Sequence, residues 1–278
     1  MENVSDEAGQ PPISFSPCYV PPGCQLYNED CLKTMRGIET GSVDLILQDP
    51  PYNTTACDWE YDIDLPNLWI EWERILKADG VIVIFADEPF TSRLIISRLQ
   101  LFKYRVTWDK MSGSNFLNAL IMPLKQTEDA VVFAKVKNGH YTYNPILTDR
   151  LKPDNRRIRG KKPTRKSTYG SHNRKNSITY DNTKKHPTNL ISLNAKQEEC
   201  NSANRSHPTQ KPFELMRRFV LTYTNENDLV FDGYSGSGTT AAACIKEKRR
   251  FIGSELSREY FDKSVQRLEL LRSKPELF

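Results

Sequence analysis

Apolar positions along this chain recur in two rhythms. Short, nearly continuous runs stand at Val43-Asp44-Leu45-Ile46-Leu47-Gln48, Val81-Ile82-Val83-Ile84-Phe85 and Asp228-Leu229-Val230-Phe231-Asp232. Between them lie stretches in which apolar residues return every three or four places. Leu68, Trp72, Ile75 and Leu76 form such a stripe and predict a helix over 64–76, closed by Asp79-Gly80. The unbroken run at 81–85 is the pattern of a strand covered on both faces. The same reading predicts strands at 25–27, 104–108, 130–134 and 250–255, and helices at 31–38, 91–99, 213–222, 239–247 and 259–271. Strand and helix alternate, which predicts an α/β fold: a doubly wound, mostly parallel sheet with helices on both faces.

The alternation fails twice. Residues 1–24, with five prolines and two glycines, read as an extended or disordered lead-in. Residues 138–206 are rich in Lys, Arg, Asn, Ser and Thr and poor in apolar residues, so they read as an insertion without a packed core of its own. The chain therefore divides into one half-domain at 25–137, the insertion at 138–206, and a second half at 207–278.

Charge sharpens the picture of the insertion. The net charge of the 278 residues is +4, yet Arg150–Lys185 holds thirteen Lys or Arg against two Asp, a net +11 that leaves −7 for the rest. Basic charge gathered in one segment suits a polyanionic partner, although a solvated loop has the same composition. The longest apolar run is far too short to span a bilayer, and the acidic N-terminus is not followed by a secretory apolar stretch. A cytoplasmic protein without membrane contact is expected. No C-x-x-C pair and no H-x-x-x-H spacing occurs, so reduced thiols and no metal are expected.

Two motifs carry candidate chemistry. The first is Gly236-Ser237-Gly238-Thr239-Thr240-Ala241, a G-x-G-x-x-A turn between a predicted strand and helix, followed by Glu255 at the end of the next strand. Glycines permit the tight turn and the approach of a ligand to a helix N-terminus, and an acid 23 residues after Asp232 suits the hydroxyls of a ribose. A nucleoside cofactor fits; a merely connecting turn is the bland alternative. The turn lacks the lysine of a phosphate-binding loop, which disfavours nucleotide hydrolysis. A nicotinamide enzyme would ordinarily carry this turn at the start of its chain.

The second motif, Asp49-Pro50-Pro51-Tyr52, ends a predicted central strand, because consecutive prolines cannot continue a ladder. Alone it is a turn. As chemistry it offers two acceptors, the Asp49 carboxylate and the Pro50 carbonyl, to both hydrogens of a weakly nucleophilic amine. Such contacts localise the nitrogen lone pair towards an electrophile, while Tyr52 offers a face for stacking a base.

With both motifs in this order around a basic insertion, residues 25–270 resemble the DNA amino-methyltransferases, specifically their permuted β group. The resemblance implies a Rossmann-like methyltransferase sheet, S-adenosylmethionine as cofactor, and methylation of adenine N6 in duplex DNA after base flipping. Cytosine N4, an RNA amine and an inactive nucleic-acid binder remain as alternatives. Asp at the first position of Asp49-Pro50-Pro51-Tyr52 favours adenine, since Ser is commoner there in the cytosine-N4 members. By the same resemblance Asp30 and Cys31 lie near the cofactor's adenine; Asp49, Asp232, Tyr234, Ser235, Gly236, Ser237, Gly238, Thr239 and Thr240 line its pocket; Glu255 holds the ribose. His207 and Lys211, in His207-Pro208-Thr209-Gln210-Lys211-Pro212, belong to its methionine end. Arg156, Arg157, Arg159, Lys161, Lys162, Arg165, Lys166, Arg174 and Lys175 are the expected DNA contacts. Several members of the group dimerise, so a homodimer is also an expectation. One departure stands out: the family's Asp-Pro-Phe is Asp232-Gly233-Tyr234 here, which is expected to loosen that turn.

Overall fold

The apolar runs become the spine of a nine-stranded sheet. The computed structural model describes residues 18–19, 23–52, 63–136, 140–151, 181–194 and 210–273. In chain order these form β1 (Cys18–Tyr19), β2 (Cys24–Tyr27), α1 (Cys31–Arg36), β3 (Val43–Gln48), α2 (Leu65–Ile75), β4 (Leu76–Ala86), α3 (Phe90–Ser97), β5 (Phe102–Ser114), a 3-10 turn (Phe116–Asn118) and β6 (Lys125–Ala134). There follow β7 (Thr148–Asp149), β8 (Lys184–Lys185), β9 (Leu190–Ser192), α4 (Phe213–Tyr223), β10 (Leu229–Asp232), α5 (Thr239–Lys246), β11 (Arg250–Ser254) and α6 (Arg258–Ser273).

The sheet runs β1-β2-β11-β10-β3-β4-β6-β5-β9. Its centre, from β2 to β4, is parallel, while β6 and β5 turn the far edge antiparallel. Two chain segments far apart in sequence meet at the middle: Val230 of β10 lies opposite Leu45 of β3, and Phe231 opposite Ile46. From this pair the chain winds outwards in both directions, through β4 on one side and β11 on the other. That makes the β3/β10 seam the point at which an open α/β sheet places its ligand, beyond the strands' C-terminal ends.

Alternation along each strand sorts the core into two layers. Leu45, Leu47, Val81, Val83 and Phe85 point to one face, where Phe219 of α4, Ala242 of α5 and Leu268 of α6 cover them. Ile46, Ile82 and Ile84 point to the other, under Met35 of α1, Trp69 and Trp72 of α2 and Leu94 of α3. Helices thus cover both faces, as the alternating pattern predicts. Trp69 stands edge-on to both Trp72 and Phe133, with centroids 5.0 Å apart in each pair. Helix starts follow local chemistry: Asp30 accepts from the Leu32 N–H at 2.9 Å to cap α1, and Asp64 accepts from the Asn67 N–H at 3.2 Å to cap α2.

Three features depart from the expected pattern. Asp79-Gly80 does not close a unit; it lies inside β4, which starts at Leu76 directly after α2, and the ladder with β3 shifts register between Val43 and Leu45 to absorb it. The strands expected at 104–108 and 130–134 are parts of a longer hairpin, β5 and β6, which runs on to Ser114 and starts at Lys125. Within the 138–206 insertion, Leu190-Ile191-Ser192 adds β9 beside β5, and the Trp108 indole N–H donates to the Leu193 carbonyl at 2.9 Å. Three ordered residues among polar neighbours are too short a run for periodicity to reveal. Among the described residues no helix is long and apolar enough to cross a membrane.

The burial of Trp72 under α2 gives a measurable expectation. Trp72 is wholly buried, so Trp72→Ala should lower the unfolding free energy by about 3–5 kcal/mol, read from urea midpoints; a loss below ~1 kcal/mol would contradict the packing described.

Candidate active site

At the C-terminal ends of β3 and β10 opens a cavity of about 340 Å³, within the usual range for small-molecule sites. Both motifs reach it. Asp49, Pro50, Pro51 and Tyr52 leave β3 into one wall; Asp232, Tyr234, Ser235, Gly236, Ser237, Thr239 and Thr240 supply the opposite wall; Asp30, Cys31, Lys211 and Glu255 complete it. Glu29, Leu256 and Tyr260 line it too, without having been singled out by any motif, as does Gln210 beside Lys211. Gly238 instead caps α5 in the left-handed region and packs against Ser264 of α6. His207 and the nine basic residues from Arg156 to Lys175 lie outside the described residues.

The glycine turn is held from below. The buried Asp232 carboxylate accepts from the Thr240 hydroxyl at 2.6 Å and from the Tyr234 N–H at 3.0 Å. Arg267 reaches up from α6 to the Ser237 carbonyl and the Thr239 hydroxyl at 3.1 and 3.0 Å. Glu255 accepts from the Gly236 N–H at 2.9 Å and the Ser257 N–H at 2.8 Å. The Asp232-Gly233-Tyr234 departure is a packing requirement rather than a loosening. A Cβ at Gly233 would stand 2.7 Å from the Cβ of Cys31 and 3.1 Å from Gln48 Nε2, so a proline ring has no room there.

Opposite the turn lies a chain of charges. Lys211 Nζ donates to Asp49 Oδ2 at 2.6 Å and stands 2.8 Å from Glu128 Oε1; Glu128 Oε2 is in turn 2.9 Å from Lys110 Nζ. Lys211 and Glu128 are both buried, and Lys211 also sits over the Phe85 ring at 5.0 Å. Burial alone would neutralise these groups. Burial opposes the charge on Lys211, but Asp49 and Glu128 beside it win and raise its pKa; likewise Lys211 and Lys110 overcome burial at Glu128 and hold it at about 2. For Asp49 burial wins and the pKa is raised, against the pull of Lys211. Glu128 belongs to no motif. Its only sequence signal is a carboxylate just before the apolar run Ala130-Val131-Val132-Phe133-Ala134. Tyr52 stacks on Phe90 with centroids 5.7 Å apart and planes within 11°.

Five carboxylates, those of Glu29, Asp30, Asp49, Asp232 and Glu255, therefore line the cavity, against one lysine that is already paired. Such a site repels a pyrophosphate and suits a cationic nucleoside with free ribose hydroxyls.

A family model of DNA methylases acting at N6 or N4 amines matches residues 43–266, and the chain belongs to that family. It is 30 % identical over 262 residues to the DNA adenine methyltransferase YhdJ of Escherichia coli K12, covering 88 % of this chain and 82 % of that one. It is 27 % identical to the type II methyltransferase M1.MboII of Moraxella bovis, over 86 % and 94 % of the two chains. The solved complex of M1.HpyAVI with S-adenosylmethionine superposes with a TM-score of 0.59 at 26 % identity, covering 89 % of this chain and all of that one.

Two expectations follow from the site. The Asp232 carboxyl titrates near 3.8 when unfolded and is pushed up to about 7 by burial when folded. The folded state then binds the extra proton between those values, so this group's contribution is fully present below about pH 4 and is lost as pH rises through about 7. Scanning calorimetry of the cofactor-free protein from pH 5 to 8 should show stability falling by roughly 2–4 kcal/mol, and Asp232→Asn should flatten that fall; equal slopes would refute it. Lys211→Met should cost about 3–5 kcal/mol by leaving the buried Glu128 and the half-buried Asp49 without their shared lysine, and adding Glu128→Gln should recover part of the loss. Strictly additive urea midpoints would contradict a shared lysine.

Proposed function

We propose that this DNA methylase transfers a methyl group from S-adenosylmethionine to the N6 amine of adenine in duplex DNA, after the base has turned out of the helix. The carboxylate-lined cavity carries the reading. S-adenosylmethionine is a cationic nucleoside; Glu255 suits its ribose hydroxyls, Asp30 and Cys31 its adenine, and the Gly236-Ser237 turn with Lys211 its methionine end. The buried Ser235 hydroxyl, which has no hydrogen-bond partner among the described residues, offers a further donor or acceptor at the wall. When bound, the sulfonium supplies an electrophilic methyl group.

The chain's own residues prepare the nucleophile. Asp49 Oδ2 accepts from Lys211, and Oδ1 with the Pro50 carbonyl suits the two hydrogens of the amine. Those contacts draw the nitrogen towards tetrahedral geometry and hold the positive charge that grows on it. The transfer releases one proton from the nitrogen, and Asp49, whose affinity for protons burial has raised, is the group placed to accept it. The ring of Tyr52, its plane set by Phe90, stacks the extruded base. The Arg156–Lys175 stretch supplies phosphate contacts. Asp rather than Ser at position 49, and the likeness to an enzyme named for adenine, favour N6 over cytosine N4.

Duplex DNA incubated with methyl-labelled S-adenosylmethionine and digested to nucleosides should yield labelled N6-methyldeoxyadenosine. Label in N4-methyldeoxycytidine would overturn the base, and label in RNA alone would overturn the substrate. Asp49→Ala should lower kcat by about 100–1,000-fold while calorimetry shows the cofactor still binding.

A further inference from the structure

Beyond the charge chain, the β5–β6 hairpin continues into a tip whose fourteen residues, Met111 to Leu124, include no charged side chain. Its surface is inverted. Phe116 is 68 % exposed, Leu117 and Leu120 are each 100 % exposed and Ile121 80 %. Its polar groups meanwhile bond to one another. Asn118 Nδ2 donates to Asn115 Oδ1 at 2.9 Å, the Ser114 hydroxyl donates to the Lys125 carbonyl at 2.8 Å, and the Ile121 and Met122 N–H groups donate to the Asn118 carbonyl at 3.0 Å. Asn115, at φ 68° in the left-handed region, turns the chain into the 3-10 turn. Elsewhere among the described residues, exposed apolar side chains such as Ile70 and Ile96 stand apart from this cluster and need no explanation.

The tip stands at the catalytic edge. Because Ala86 of β4 pairs with Asp129 of β6 in antiparallel sense, β6 begins and β5 ends where β3 delivers Asp49. The stem is tied to that carboxylate through Lys110, Glu128 and Lys211. Leu117 follows Lys110 by seven residues, so even a fully extended chain keeps it within roughly 25 Å of that lysine.

Phosphates are gripped by cations and amides, and this tip has no cation to offer them. Apolar side chains on a DNA-binding protein enter the base stack instead. Resting on the reading above, that the target amine belongs to a base turned out of a duplex, we propose that the hairpin tip is a wedge. Phe116, Leu117, Leu120 and Ile121 enter the duplex beside the target and fill the gap it leaves, holding the base in the catalytic pocket.

The test uses the full chain, the sequence it methylates in mixed DNA, and two oligonucleotide duplexes carrying that sequence. One is intact; in the other the base opposite the target is absent, so that little pairing opposes extrusion. Leu117→Ser/Leu120→Ser and Phe116→Ala replace exposed residues and leave the core untouched. Each variant should lose about tenfold or more in kcat/KM on the intact duplex, return to within about twofold of wild type on the other, and bind S-adenosylmethionine as wild type does. No loss on either duplex, with or without a change in sedimentation that would make the tip an interface between copies, overturns the wedge. So does an equal loss on both. A wild-type protein that methylates neither duplex nor mixed DNA overturns the duplex-base reading, and the wedge with it.

Discussion

A single buried ammonium group joins parts of this chain that have little else in common. Lys211 lies just before α4, in the second half of the chain; its two carboxylate partners come from the end of β3 and from β6, in the first. Neither the buried Glu128 carboxylate nor the lysine is tolerable alone at that depth. Their mutual neutralisation allows a charged acceptor to stand in a largely apolar pocket and stay available to an amine. The position of Asp49 is therefore set twice, by the backbone of a strand that two prolines terminate and by a salt bridge across the sheet. Lys110 extends the same neutralisation into the β5–β6 stem, so the arrangement of the sheet's antiparallel edge and that of the catalytic acid are one problem in electrostatics.

The seam between β3 and β10 gives this ion cluster its place. Each of those strands is central, buried on both faces and followed by a motif that breaks the ladder, Pro50-Pro51 in one and the Gly233-to-Gly238 turn in the other. Parallel pairing puts both breaks at the same edge. Cofactor pocket and acceptor then face each other without any loop having to bridge them, and Arg267 beneath the turn and Phe90 beneath Tyr52 fix the walls from behind.

Much of this was legible in the residues. The unbroken run at 81–85 is a strong local signal, and the two motifs, each ambiguous alone, become specific together with the acid after β11. Glu128 was not legible, because a carboxylate among polar residues at the start of a strand reads as solvent-facing until its partner, 83 residues later, is known to be beside it. Nor were the hairpin's true length or β9, whose three residues pair with β5 through tertiary context alone. Gly233 shows the reverse case. It was visible as a departure from the family's proline, but its reason is the proximity of Cys31, which only the assembled sheet brings to it.

The β3/β10 pairing also imposes an order on synthesis. When β3 leaves the ribosome its neighbour on one side, β4, follows within about 40 residues, but the strand that covers its other edge is residues 229–232. At about 5–20 residues per second, some 180 residues of intervening chain take roughly 10–40 s to emerge. Throughout that interval Leu45, Ile46 and Leu47 lie on a strand with one open edge, a template for pairing with another chain. A nascent protein of this permuted design thus depends for roughly half a minute on whatever shields that edge, and acquires its pocket only once β10 and the turn after it have followed.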